Sequence, residues 1–153
     1  MPDNTRALIV AEPRAGYATR LPLVADCSVL ASVLFDEPDR SEAVGAMAGR
    51  DLFAPDLVDY ELVSVAVKKS RHGLELVAAQ GLADLLRLQL TRCPVDSHAQ
   101  WRLALQYDLT AYDAAYLWLA GELRAPLVTF DHRLGEAARR HLGGGGPAPG
   151  PAG

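Results

Sequence analysis

Cysteine is almost absent from this chain. Its two thiols, Cys27 and Cys93, form no CxxC pair and have no histidine at metal-ligand spacing, which argues against a structural zinc site. Two isolated thiols suit a reducing cytoplasm. Long apolar runs are also missing, so no segment matches a membrane helix. The N-terminal run Ala7-Leu-Ile-Val-Ala11, flanked by Asp3 and Glu12, is too short for a signal-peptide core. A cytoplasmic protein with no membrane partner is expected. Nor is there a basic excess. The net charge is −4 and the pI about 5.5, so no overall field draws nucleic acid, and any such surface must be local.

What is present is enough for one domain. The chain has 153 residues, half of them apolar and 22% charged, a globular composition with material for a full core. Its ends differ from its middle. Residues 1–20 carry Pro2, Pro13 and Gly16 without sustained periodicity and read as an irregular extension, with a short strand at residues 8–10. Residues 143–153 are glycine, proline and alanine and read as a disordered tail. Between them, residues 21–142 form the domain.

Within the domain, short apolar runs alternate with amphipathic stretches. Strands are expected at residues 21–26, 51–54, 92–95 and 126–130. Helices are expected from Ser28 as N-cap, over 41–49, from Pro55 as first helical residue to Lys69, along 74–90, after Asp96 or Ser97, over 111–123 behind Thr110, and over 132–141. Gly81 weakens the 74–90 helix, since a mid-helix glycine costs about 1 kcal/mol relative to alanine. Strands separated by helices imply crossover units, a parallel sheet and an α/β fold.

Four carboxylates stand out. Asp26 closes the run Leu23-Val-Ala, and Asp131 closes Leu127-Val-Thr-Phe. Each sits where a parallel sheet presents its C-terminal edge, the ligand-binding edge of open α/β folds. Glu61 lies inside the helix after Pro55, on one stripe with Ser64 and Lys68. Asp113 lies in the first turn behind Thr110, one turn before Leu117. Each has an ordinary alternative: a strand-end turn acceptor for Asp26, a solvent stripe for Glu61, helix-dipole stabilisation for Asp113 and an N-cap for Asp131. If the Asp26 and Asp131 strands are neighbours, the carboxylates converge and repel unless a cation intervenes. Oxygen donors without histidine or cysteine suit Mg²⁺ or Mn²⁺, which points to metal-assisted phosphoryl chemistry.

These residues also resemble a known family. Leu23-Val-Ala-Asp26-Cys-Ser-Val-Leu30 with Phe35-Asp-Glu-Pro38, Pro55-Asp-Leu-Val-Asp-Tyr-Glu61, Tyr107-Asp-Leu-Thr110-Ala-Tyr-Asp113 and Ala125-Pro-Leu-Val-Thr129-Phe-Asp131-His-Arg-Leu134 are similar to the motifs of PIN-domain proteins, in the order of the VapC-like ribonuclease toxins. The last pair is the most specific. The resemblance implies a three-layer sandwich around a short parallel sheet of four to five strands. It also implies a Mg²⁺- or Mn²⁺-dependent endoribonuclease, an RNA substrate, a homodimer and a cognate antitoxin. It makes Asp26, Glu61, Asp113 and Asp131 the acidic metal and catalytic site, with Ser28 supporting Asp26 and Thr129 orienting Asp131 or a water. The twenty residues before the first strand and the glycine-proline tail depart from the family pattern.

For RNA, the best local cations are Lys68, Lys69 and Arg71 beyond Glu61, and Arg133 after Asp131. The alternative is a solvated helix end, where cations complement the dipole. Trp101, Tyr112, Tyr116 and Trp118 could stack on bases but fit core or dimer packing better at their helical spacing. Two other functions remain in view. One is a non-catalytic PIN-like module that binds RNA or protein. The other is a phosphoacceptor receiver with Asp26 as acceptor, which lacks the acidic pair and the late lysine such a domain needs.

Overall fold

The computed structural model describes residues 20–143. The expected strand at 8–10 and the tail from residue 144 onward lie outside the described residues. Within them the order is β1 (Leu21–Ala25), α1 (Cys27–Leu34), α2 (Arg40–Met47), β2 (Arg50–Pro55), α3 (Val58–Arg71), α4 (Glu75–Arg87), β3 (Leu90–Cys93), α5 (Ser97–Tyr107), α6 (Ala111–Leu123), β4 (Leu127–Val128) and α7 (His132–Leu142). The four strands form one parallel sheet in the order β3-β2-β1-β4. The expected α/β sandwich is therefore present, with seven helices flanking the sheet.

Strand order explains the layering. The chain steps from β1 to β2 to β3 in one direction, then returns to place β4 on the other side of β1. Right-handed crossovers put the helices of the outward and return paths on opposite faces. The packing agrees: α1 meets α2, α3 and α4, whereas α6 meets α5 and α7. The direction of winding reverses between β1 and β4, and a crevice opens at the strands' C-terminal ends at such a switch point.

Two helices are apolar nearly all round and run through the middle. In α1, Val29, Leu30, Ala31, Ser32 and Leu34 are buried; in α6, Ala114 to Leu117, Leu119 and Ala120 are buried. A helix without a solvent face must be enclosed by its neighbours. Gly81 is one such contact. A side-chain Cβ there would lie 2.5 Å from the Phe35 ring and 2.6 Å from the Leu34 carbonyl oxygen. The glycine that weakens α4 by propensity is what lets it approach the end of α1.

Several boundaries differ from the sequence expectation, each for a visible reason. Asp26, not Ser28, is the N-cap of α1; its carboxylate accepts from the Val29 N–H, and Ser28 lies within the helix. Pro55 ends β2 instead of opening α3. At a strand's last residue its missing N–H costs little, and the next N–H, of Asp56, donates to the Cys93 carbonyl. The segment 74–90 is helical only to Arg87, because Leu90 already pairs with Leu52 in the sheet. β4 is two residues long instead of five, since the backbone N–H groups of Phe130 and Asp131 bond side-chain hydroxyls. By contrast α6 spans the expected residues, capped by Thr110 and ended by Arg124 in the left-handed region at φ 49°. Cys27 and Cys93 are free thiols.

Gly81→Ala tests the α1–α4 contact. Helix propensity would gain about 1 kcal/mol, but overpacking against backbone costs about 1–3 kcal/mol. A net loss of stability with an unchanged m value is expected in urea unfolding; a stabilised variant would contradict the close approach.

Candidate active site

Asp26 is the most enclosed carboxylate described, with 4% of its surface exposed. It sits one residue past β1, where its N–H donates to the Val128 carbonyl of β4 at 3.2 Å. Its Oδ1 accepts from the Ser28 hydroxyl at 2.6 Å and the Val29 N–H at 3.1 Å, and its Oδ2 accepts from the Thr129 hydroxyl at 2.6 Å. Each hydroxyl accepts in turn: Ser28 Oγ from the Phe130 N–H and Thr129 Oγ1 from the Asp131 N–H, both at 2.9 Å. A hydroxyl that donates to one partner and accepts from another is a relay. Here two relays tie the β4–α7 turn to the buried carboxylate.

The other three acids surround this hub. Asp131 caps α7 through Oδ1, which accepts the Leu134 N–H at 2.8 Å. Asp113 sits in the first turn of α6, behind the Thr110 cap. Glu61 sits in the first turn of α3 and accepts the Tyr116 hydroxyl on Oε1 at 2.7 Å. The ordinary roles of Asp26 and Asp131 as caps are therefore real, and they coexist with convergence.

Electrostatics records that convergence. Burial raises the pKa of Asp26, against the lowering bonds from Ser28, Thr129 and Val29, and the charge of Asp131 adds to the rise. Burial raises Glu61, with Asp113 and Asp26 repelling it further while Tyr116 opposes the rise. Burial raises Asp113, with Asp131 and Asp26 adding to it and Arg133 offsetting part. Beside them the Cys27 thiol is pushed up to about 12, first by burial and then by Glu61 and Asp26, so it stays protonated and unreactive at neutral pH. Each raised carboxylate feels at least one other member of the set. As placed, no three His, Cys, Asp or Glu side chains among the described residues stand close enough to hold one ion. The carboxylates form a charged rim, not a closed cage.

The candidate RNA-contacting cations disperse. Lys68 lies near enough to Cys27 to lower its pKa. Lys69 pairs with Glu37 at 3.1 Å. Arg71 lines an apolar groove between α3 and α4 with Val63, Val67 and Leu82. Arg133 is held by the Asp108 carboxylate and by its carbonyl at 2.9 Å. A separate groove of about 630 Å³, lined by Pro126, Leu127, Phe130, Ala138 and Leu142 among others, runs beside β4 and α7 without Asp26, Glu61, Asp113 or Asp131 in its wall.

The PIN domain family model matches residues 23–140, which includes all four carboxylates and both hydroxyls. The chain belongs to the PIN-domain family. Within the PIN domains it is VapC-like: it is 32% identical to Ribonuclease VapC3 of Pyrobaculum aerophilum over 124 residues, covering 76% of this chain and 94% of the relative. It is also 32% identical to Ribonuclease VapC9 of Mycobacterium tuberculosis over 120 residues, covering 76% and 91%. The fold is similar to that in the crystal structure of PAE2754 from Pyrobaculum aerophilum, with a TM-score of 0.62 at 23% identity over 78% of this chain and 81% of that one.

The raised carboxylates carry a pH signature. Asp26, Glu61 and Asp113 hold protons more tightly folded than unfolded. The folded state therefore binds the excess protons from the ordinary carboxylate pKa, about 4, up through the raised values. Their contribution to stability falls as pH rises through that window. In chelator-treated protein, urea midpoints measured from pH 4 to 8 should decline less steeply for Asp113→Asn than for the unsubstituted chain. Parallel curves would mean that the charges do not repel.

Proposed function

We propose that this protein is a divalent-metal-dependent endoribonuclease, the toxic member of a toxin–antitoxin pair. The observation that carries the proposal is the set of four carboxylates from four chain segments near the β1–β4 switch point, of which Asp26, Glu61 and Asp113 are each desolvated by burial and repelled by at least one other member. The names of the VapC ribonuclease relatives supply the substrate class.

The donor set fits a hard cation. Asp26 uses three of a carboxylate's roughly four lone-pair positions, which leaves one on Oδ2. Glu61 Oε2 and Asp131 Oδ2 carry no hydrogen bond among the described residues. Mg²⁺ or Mn²⁺ would be held by Asp26 with Asp113, Asp131 and Glu61. When bound it supplies Lewis acidity toward a phosphodiester and a lowered pKa for water.

The chain's own residues do the rest. Ser28 and Thr129 fix both oxygens of Asp26, so the deepest ligand needs no reordering. Asp113 and Asp131 would add oxygens from the rim, and Glu61 one from its free Oε2. Thr129 also holds the Asp131 backbone, which sets that carboxylate relative to Asp26. Lys68, whose charge reaches Cys27 beside Asp26, is the cation we assign to an RNA phosphate. Hydrolysis adds a water oxygen to phosphorus as the ester P–O bond breaks, one proton going to the leaving oxygen. No side chain becomes covalently attached.

The exposed apolar side chains of α3, α4 and the turn between them, Val63, Val67, Leu74, Leu76 and Leu86, would serve an antitoxin or a homodimer. One observation favours the second function, a PIN-like module that binds RNA or protein without cleaving: the described carboxylates do not stand at ion-binding distance as a set of three. Binding of RNA with no cleavage in any divalent metal would select it.

Cleavage of RNA by the purified chain should disappear with chelator and return with Mg²⁺ or Mn²⁺. Asp113→Ala, at the exposed end of α6, should lower the rate by about 10²–10³-fold, the scale of losing one electrostatic stabiliser at a reacting centre, with the circular dichroism spectrum unchanged. Full activity in Asp113→Ala would overturn the assignment.

A further inference from the structure

We propose that Tyr116 is the positioning residue of the metal site: its hydroxyl holds Glu61 at the acidic rim and leaves its second oxygen for a divalent cation. The inference rests on the metal-dependent reading above and deepens it.

Tyr116 is 1% exposed, its ring packed in the core, and its hydroxyl donates to Glu61 Oε1 at 2.7 Å. Among the described residues this is the one side-chain hydrogen bond that joins α3 to α6. The two helices come from opposite faces of the sheet by the crossover argument, so the bond spans the site. Tyr116 also follows Asp113 by three residues on α6, which puts the two on neighbouring positions of one helix face. A single rigid helix thus presents one candidate ligand and the anchor of another.

Glu61 needs such an anchor. Its long side chain has rotamer freedom to lose, and both Asp113 and Asp26 repel it. Without a donor on the inner side it would turn outward to water. A phenol on a buried ring has little freedom of its own, and a hydrogen bond to an ionised carboxylate is about twice as strong as a neutral one. It occupies Oε1 and leaves Oε2 for the cation. The tyrosine touches neither substrate nor metal; it acts through Glu61.

Mn²⁺ binding to the full chain, measured by titration calorimetry, tests this. Tyr116→Phe keeps the ring and deletes the donor, and should weaken Mn²⁺ binding about tenfold, within the range for losing one charge-assisted hydrogen bond. The same change in a Glu61→Gln background should have almost no further effect, because the two residues act as a unit. In RNA cleavage the half-saturating Mn²⁺ concentration should rise for Tyr116→Phe, while the rate at saturating Mn²⁺ returns to that of the unsubstituted chain. Unchanged Mn²⁺ affinity in Tyr116→Phe would overturn the proposal. So would an equal weakening with and without Glu61→Gln, which marks a purely structural effect. An unsubstituted chain that binds no Mn²⁺ overturns the metal site itself. A chain that binds Mn²⁺, weakens with Glu61→Gln and ignores Tyr116→Phe overturns the tyrosine's role alone.

Discussion

A carboxylate taken out of water is the constraint around which this molecule is arranged. Asp26 is almost wholly enclosed at the end of the central strand, and a buried charge is tolerable only when it is fully partnered. Its three donors come from both ends of the chain: Ser28 and Val29 on α1, Thr129 beyond β4. One group therefore caps the first buried helix, joins the two strands at the switch point and fixes the turn that leads into α7. Removing any donor leaves the same charge with one partner fewer.

The rest of the acidic rim follows from the opposite tendency. Asp113 and Glu61 are half-buried, and each is pushed toward the protonated state first by that burial and then by its acidic neighbours. The fold accepts this repulsion because it is built elsewhere: α1 and α6 are buried on nearly every side and supply the core. A rim held at the edge of so firm a scaffold can stay electrostatically unfavourable without costing the chain its fold.

The architecture was largely legible in the residues, and the exceptions are informative. Alternating apolar runs and amphipathic stretches implied a parallel sheet, and α6 was bounded correctly because its opening signal, the Thr110 cap, is local. Pro55 and Thr129 mislead for a shared reason. Each obeys a tertiary hydrogen-bond pattern, the Asp56–Cys93 bond in one case and the Asp26 relay in the other, that no local preference encodes. The four acids were visible as motifs, but their neighbourhood required knowing that β4 returns beside β1. Within the cluster Lys68, Lys69 and Arg71, Lys69 turns aside to pair with Glu37, since successive helix positions turn through about 100°. Tyr116 is hidden among apolar neighbours and reads as core, which it is; only its spacing of three from Asp113 hints at a second duty.

The relay between Thr129 and Asp26 joins residues 103 apart in the chain, and the β4–α7 turn follows the other three strands in sequence. Contacts of such long range form late, after their loop-closure cost has been met. Until β4 and α7 are in place, Asp26 lacks one oxygen's partner and Asp131 is absent from the rim. The acidic centre is thus among the last parts of the domain to assemble: a chain cut before β4 can hold most of the sheet and still have no assembled site.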